Sequence, residues 1–103
     1  MNEYSTPRLG QFVKVLQGRD ESKYAVIIDI EESRYVKIAD GDKRKFDQPK
    51  RKNLLHLELQ PAISHEVVHS LHESGRVTNS KLRYVIAKYA EQQAAAHADE
   101  KGE

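Results

Sequence analysis

The feature that most restricts what this chain can fold into is a change of hydrophobic period at Gln60. From Leu9 to Leu59 apolar residues alternate with a period of two, which sets them on one face of successive β-strands. Four short strands are predicted. The first carries Val13 and Val15 on one face and Lys14 on the other; the second turns Val26, Ile28 and Ile30 inward; the third has Val36 and Ile38; the fourth has Leu55, Leu57 and Leu59. A polar loop opened by Gly18 separates the first two, Glu31-Glu32-Ser33 suits a tight turn, and Asp40-Gly41-Asp42 holds the Asp-Gly dipeptide favoured in hairpins. A strongly bent antiparallel meander follows from this pattern.

Beyond Gln60 the spacing becomes helical. Pro61 blocks strand continuation, Ser64 is placed to cap a helix, Ile63, Val67, Val68 and Leu71 form a stripe, and Gly75 suits the far cap, so a helix is expected over 64–74. A second helix, capped by Thr78 or Asn79, presents Leu82, Val85, Ile86 and Tyr89 on one face and is expected to end near Gln92. Residues 94–103 have no periodic apolar face, and fraying is expected there. The fold class is therefore α+β, with a β-unit over 1–60, a two-helix extension over 61–93 and a flexible tail over 94–103.

With 103 residues, the chain suits one domain with a small core. The absence of cysteine excludes a disulfide framework, a thiolate zinc site and a cysteine nucleophile. No apolar run approaches the roughly 18 residues that span a bilayer, and the start Met1-Asn2-Glu3-Tyr4 lacks a signal peptide's order, so no membrane and a cytoplasmic location are expected. The net charge of +1 names no partner. Its distribution is more informative, because residues 43 to 52 hold six cations against one acid, whereas 61 to 103 hold five cations and six acids.

Neutralising neighbouring phosphates requires cations held close together. Lys43, Arg44, Lys45, Lys50, Arg51 and Lys52 supply such a group, flanking Phe46 and Pro49, and Arg19 and Lys23 in the first long loop can be brought to the same end of a small barrel. The bland alternative is a solvated loop that only confers solubility. Tyr35, Tyr84 and His56 could stack on bases, or simply pack. Lys81, Arg83 and Lys88 would be phosphate contacts if the two helices formed a helix-turn-helix, but the connection is long for that motif, and a helical hairpin packed on the β-unit or on a protein partner fits better.

His65-Glu66-Val67-Val68-His69 matches the pattern of zinc hydrolases, in which two histidines one turn apart hold the metal and a glutamate activates its water. His72 continues the series. At about 100° per residue the three histidines share one narrow sector and Val67 and Leu71 point away from it, so the histidines should face solvent or a partner. No enzyme activity, cofactor or metal is expected; the alternatives are a zinc-dependent hydrolase of this pattern, or a protein-interaction module without nucleic-acid binding.

Gly10-Gln11-Phe12-Val13-Lys14-Val15-Leu16-Gln17-Gly18-Arg19-Asp20, followed by Lys23-Tyr24-Ala25-Val26-Ile27, resembles the KOW motif. Val36 to Asp42, Pro49 to Leu57, Ile63-Ser64, Gly75 to Asn79 and Arg83 are similar to segments of small bacterial KOW proteins related to the ribosomal large-subunit "fourteen-e" family. The resemblance spans roughly residues 8 to 90. It implies an SH3-like β-barrel, RNA binding, most simply ribosomal RNA, and a place in translation or ribosome assembly. It further implies contacts to ribosomal proteins through the helical extension and a monomer off the ribosome. By the same resemblance Gly18 matches the motif glycine, and Arg19, Lys23 and the two basic triplets are RNA-facing. Ser22 stands where many such loops carry a second glycine.

Overall fold

The computed structural model of the protein describes residues 3–32 and 34–101. After a 3-10 turn at Glu3–Ser5 come β1 (Gln11–Val15), β2 (Tyr24–Glu32), β3 (Tyr35–Ala39), β4 (Lys50–Asn53), a second 3-10 turn (Leu54–His56) and β5 (Leu57–Ile63). Helices α1 (His65–Ser74) and α2 (Asn79–Lys101) complete the chain. All strand pairs are antiparallel, in the order β4-β3-β2-β1-β5.

Five strands replace the expected four. The additional one, β4, consists of Lys50-Arg51-Lys52-Asn53, a charged segment assigned to a loop from sequence. Its ladder to Tyr35–Ile38 of β3 is made by backbone groups, for which apolar alternation carries no signal. The sheet does not close into the expected barrel, because its edges β4 and β5 pair only inward. Both edges carry features that discourage pairing: β4 is short and cationic, and β5 runs through Pro61, which lacks an N–H. That edge position also explains why Pro61 does not stop the strand, as its spacing had suggested.

The sheet has a core on each face. Residues facing one another across a ladder share a face, and Val13, Val15, Ala25, Ile27, Val36, Ile38 and Leu57 form the inner cluster, joined by Leu54 and Leu59. On the opposite face Phe12, Val26, Ile28 and Ala39 meet Val67 of α1 and Leu82, Val85 and Tyr89 of α2. The expected inward set of β2 is thereby corrected. Ala25 and Ile27 take the inner face, Val26 and Ile28 face the helices, and Ile30 is largely exposed. A strand covered on both sides reads as a continuous apolar run, and register shifts between Ile27 and Asp29 and between Ile30 and Glu32 change its phase.

The helix caps follow the local signals. Ser64 accepts a hydrogen bond from Val67 N–H at 3.2 Å, and Gly75 closes α1 in the left-handed conformation. Thr78 Oγ1 accepts from Lys81 N–H at 3.1 Å at the start of α2. Helix α2 runs beyond the expected end at Gln92 to Lys101, in keeping with the high helix propensity of Ala94-Ala95-Ala96. Ser33, in the predicted turn, and residues 102 and 103 of the predicted tail lie outside the described residues.

Tyr89 fastens α2 to the sheet. Its ring stacks on Phe12 at 4.3 Å, and its hydroxyl donates to Gln60 Oε1 at 2.9 Å. The Gln60 backbone carbonyl accepts from the side-chain amide of the buried Gln11. Burial, with the nearby Tyr24 and Glu58, raises the Tyr89 pKa above that of an ordinary tyrosine. No helix among the described residues is long and apolar enough to cross a membrane.

Candidate functional site

In an antiparallel meander, alternate connections lie at the same end of the sheet. The β1–β2 loop (16–23) and the β3–β4 loop (40–49) are therefore neighbours, and side chains tie them together. Arg44 Nε donates to the nearly buried Asp20 carboxylate at 3.0 Å, and Lys52 Nζ donates to the Gln17 carbonyl at 3.2 Å. All eight cations singled out from sequence belong to these loops or to the strand that leaves them.

Their roles divide. Arg44 is turned into the molecule as the link between the loops. Arg51 lies on the outer face with its guanidinium 3.7 Å from the Tyr35 ring centroid and 2.6 Å from Glu31, which also meets Lys37 at 3.4 Å. The hydrogen bond from Arg51 lowers the Glu31 pKa, and the same bond raises that of Arg51. Lys52, on the inner face opposite Val36, is used to hold the first loop. Arg19, Lys23, Lys43, Lys45 and Lys50 are exposed, and among the described residues none has an acidic side chain within ion-pair distance.

The second loop is firmly built. The Asp40 carboxylate accepts from the Asp42 and Arg44 N–H groups at 2.8 and 2.9 Å, and Arg76 of the interhelix connection meets Asp47 at 2.8 Å. Phe46 N–H donates to Asn79 Oδ1 at 2.8 Å. Lys43 and Lys45 therefore point outward from a fixed turn, on either side of the inward Arg44. In the first loop Gly18 has φ +101°, and a Cβ there would lie 3.4 Å from Lys52 Nζ. Ser22 adopts φ +74°, so the serine takes the left-handed conformation that a glycine would provide. Its N–H donates to the Val15 carbonyl at 2.7 Å, which helps hold it there.

Other sequence candidates fall elsewhere. His65, His69 and His72 are exposed along α1, as their sector predicts, and His69 lies 3.2 Å from Glu73. Among the described residues no group of three His, Cys, Asp or Glu side chains is arranged to share a metal ion. Tyr35 is covered by Arg51, while Tyr84 is exposed beside Lys88 on α2. Arg83 donates to the Gly41 carbonyl at 2.7 Å and to Ser80, which sets it against the second loop and not in a separate helical motif. The anchoring role of Asp20 was not readable from sequence, since its partner lies 24 residues away.

No protein-family model matches the chain. A curated relative does: the Bacillus subtilis (strain 168) protein named "Putative ribosome-binding protein YbzG" is 42% identical over 71 residues, covering 69% of this chain and 96% of that protein.

Proposed function

From the chain's membership of the family of Bacillus subtilis YbzG, shown by that match, we propose that it is a ribosome-associated RNA-binding protein of the KOW type. Its exposed cations would grip the backbone of ribosomal RNA in the cytoplasm, during translation or ribosome assembly. The observation that carries the reading is the meeting of the 16–23 and 40–49 loops at one end, with Arg19, Lys23, Lys43, Lys45 and Lys50 left without acidic partners. Cations already neutralised within a protein have little left for phosphates; unpaired cations on a fixed frame can exchange counterions for them. The SH3-like, KOW-type assignment is supported by the antiparallel meander of β1 to β4 and by the positive φ of Gly18 in the loop between β1 and β2.

The reading assigns no catalytic group and no cofactor. The helical extension is assigned to packing on the sheet and, through its exposed face, to neighbouring ribosomal proteins, with the protein monomeric when off the ribosome. Sedimentation of cell extract through sucrose tests it. The protein should travel with ribosomal particles at low salt and leave them at high salt, with crosslinks from the basic loops to RNA. Free migration at low salt would rule the reading out.

A further inference from the structure

A cavity of about 440 Å³ opens beside the basic end, between α2, the start of β2 and the turn at 40–42. Its walls combine three kinds of chemistry. Ile86 and Ala87, with Ala90 one turn on, form an apolar strip along α2, and the half-buried Tyr24 lines the same cavity. Tyr24 is held edge-on to Tyr89 at 5.3 Å, so that wall is fixed by the core. Lys23 and Arg83 line it as cations, and among the described residues neither is paired with an acid, although Arg83 is already held by the Gly41 carbonyl and Ser80. The Asp42 carboxylate also lines the cavity and has no partner among the described residues, whereas Asp40 has one oxygen, Oδ1, taken up by two backbone N–H groups.

Apolar side chains, a free carboxylate and a free cation lining one cavity together suit a planar ring that presents N–H donors and hangs from a phosphate. Single-stranded RNA offers such a group when a base is turned out of the stack. The carboxylate discriminates among the bases. Guanine presents two adjacent donors on its Watson–Crick edge, N1–H and N2–H, which match two carboxylate oxygens. Adenine and cytosine set a ring-nitrogen acceptor beside their amino group, and uracil flanks its one N–H with two carbonyls. Each of these turns an acceptor toward Asp42.

We propose that this cavity is a guanine-binding pocket for an unpaired nucleotide of the bound RNA, with Asp42 reading the Watson–Crick edge, Tyr24 and the α2 strip holding the ring, and the exposed Lys23 meeting an adjoining phosphate. The inference rests on the RNA-binding reading above and adds to it a base preference that unpaired cations alone cannot supply.

Binding of the full chain to a uridine hexamer, to the same hexamer with one central guanine or adenine, and to 5′-GMP provides the test. The guanine hexamer should bind about tenfold more tightly than the other two, the magnitude of one bidentate base contact, and GMP should bind far more weakly than the guanine hexamer. Asp42→Asn should erase the guanine preference. Ala87→Leu, a helix-compatible change on an exposed position, should fill the cavity and lower guanine-hexamer affinity to that of the uridine hexamer with its salt dependence intact. Equal binding of the three hexamers with a steep salt dependence would overturn the pocket alone. GMP binding as tightly as the guanine hexamer would overturn its assignment to RNA, and failure of every hexamer to bind at low salt would overturn the RNA-binding reading with it.

Discussion

Single residues decide how the basic segment is used. Read along the chain, Lys43-Arg44-Lys45 and Lys50-Arg51-Lys52 are two equivalent triplets; in space Arg44, Arg51 and Lys52 are engaged within the protein and Lys43, Lys45 and Lys50 are not. The presence and place of the charge were readable from sequence. The division was not, because Arg44 and Lys52 find partners 24 and 35 residues away. Ser22 is a second residue-scale case. A left-handed serine costs about 1 kcal/mol relative to glycine, so Ser22→Gly should raise the free energy of unfolding by up to about that amount, measured by urea denaturation. At Tyr89 the buried phenol has a raised pKa, so its contribution is complete below the unfolded value of about 10 and is lost as pH rises through the folded one. Tyr89→Phe should lose about 1 kcal/mol at neutral pH with the hydrogen bond to Gln60. Its stability should also decline less steeply than the wild type's above pH ~10.

At the scale of elements, caps and helices were legible because their signals are local: Ser64, Thr78 and Gly75 act within one turn of the positions they cap. Strand β4 was not, because its identity depends on a ladder to β3 that no property of Lys-Arg-Lys-Asn encodes. The two-sided burial of β2 was hidden for a related reason, since only the docked helices reveal that Val26 and Ile28 have a second core to enter. Gly41 is the joint between the basic loop and α2. It has φ +81°, and a Cβ there would collide with the Asn79 carbonyl and lie 2.9 Å from Leu82 Cβ. Gly41→Ala should therefore cost at least about 2 kcal/mol by denaturation, combining left-handed strain with overpacking. Gly18→Ala should cost less, since its Cβ meets only the Lys52 Nζ, at an ordinary contact distance of 3.4 Å, and a comparison of the two midpoints checks the order.

For the whole molecule, the helices do more than extend the β-unit. They cover the face of the sheet opposite the inner cluster, so the units drawn from sequence at 1–60 and 61–93 share a core. Leu82 is fully buried there, and Leu82→Ala should cost about 2–5 kcal/mol in a single cooperative transition that unfolds sheet and helices together. A separate melting step for α1 and α2 would contradict that shared core. The same packing holds the 40–49 loop against α2 and the 16–23 loop against the 40–49 loop, which is how a chain of net charge +1 concentrates unpaired cations at one end.

The central claim is that those unpaired cations, and not the basic segment as a whole, bind RNA. Its most direct test is the slope of log affinity against log salt concentration for ribosomal RNA, compared between the wild-type chain and the Lys43→Ala, Lys45→Ala, Lys50→Ala triple variant. With folding verified by an unchanged thermal midpoint, the variant should bind more weakly and its slope should be shallower by about 2–3, as expected for three lost phosphate contacts. An unchanged slope in the folded variant would contradict the account.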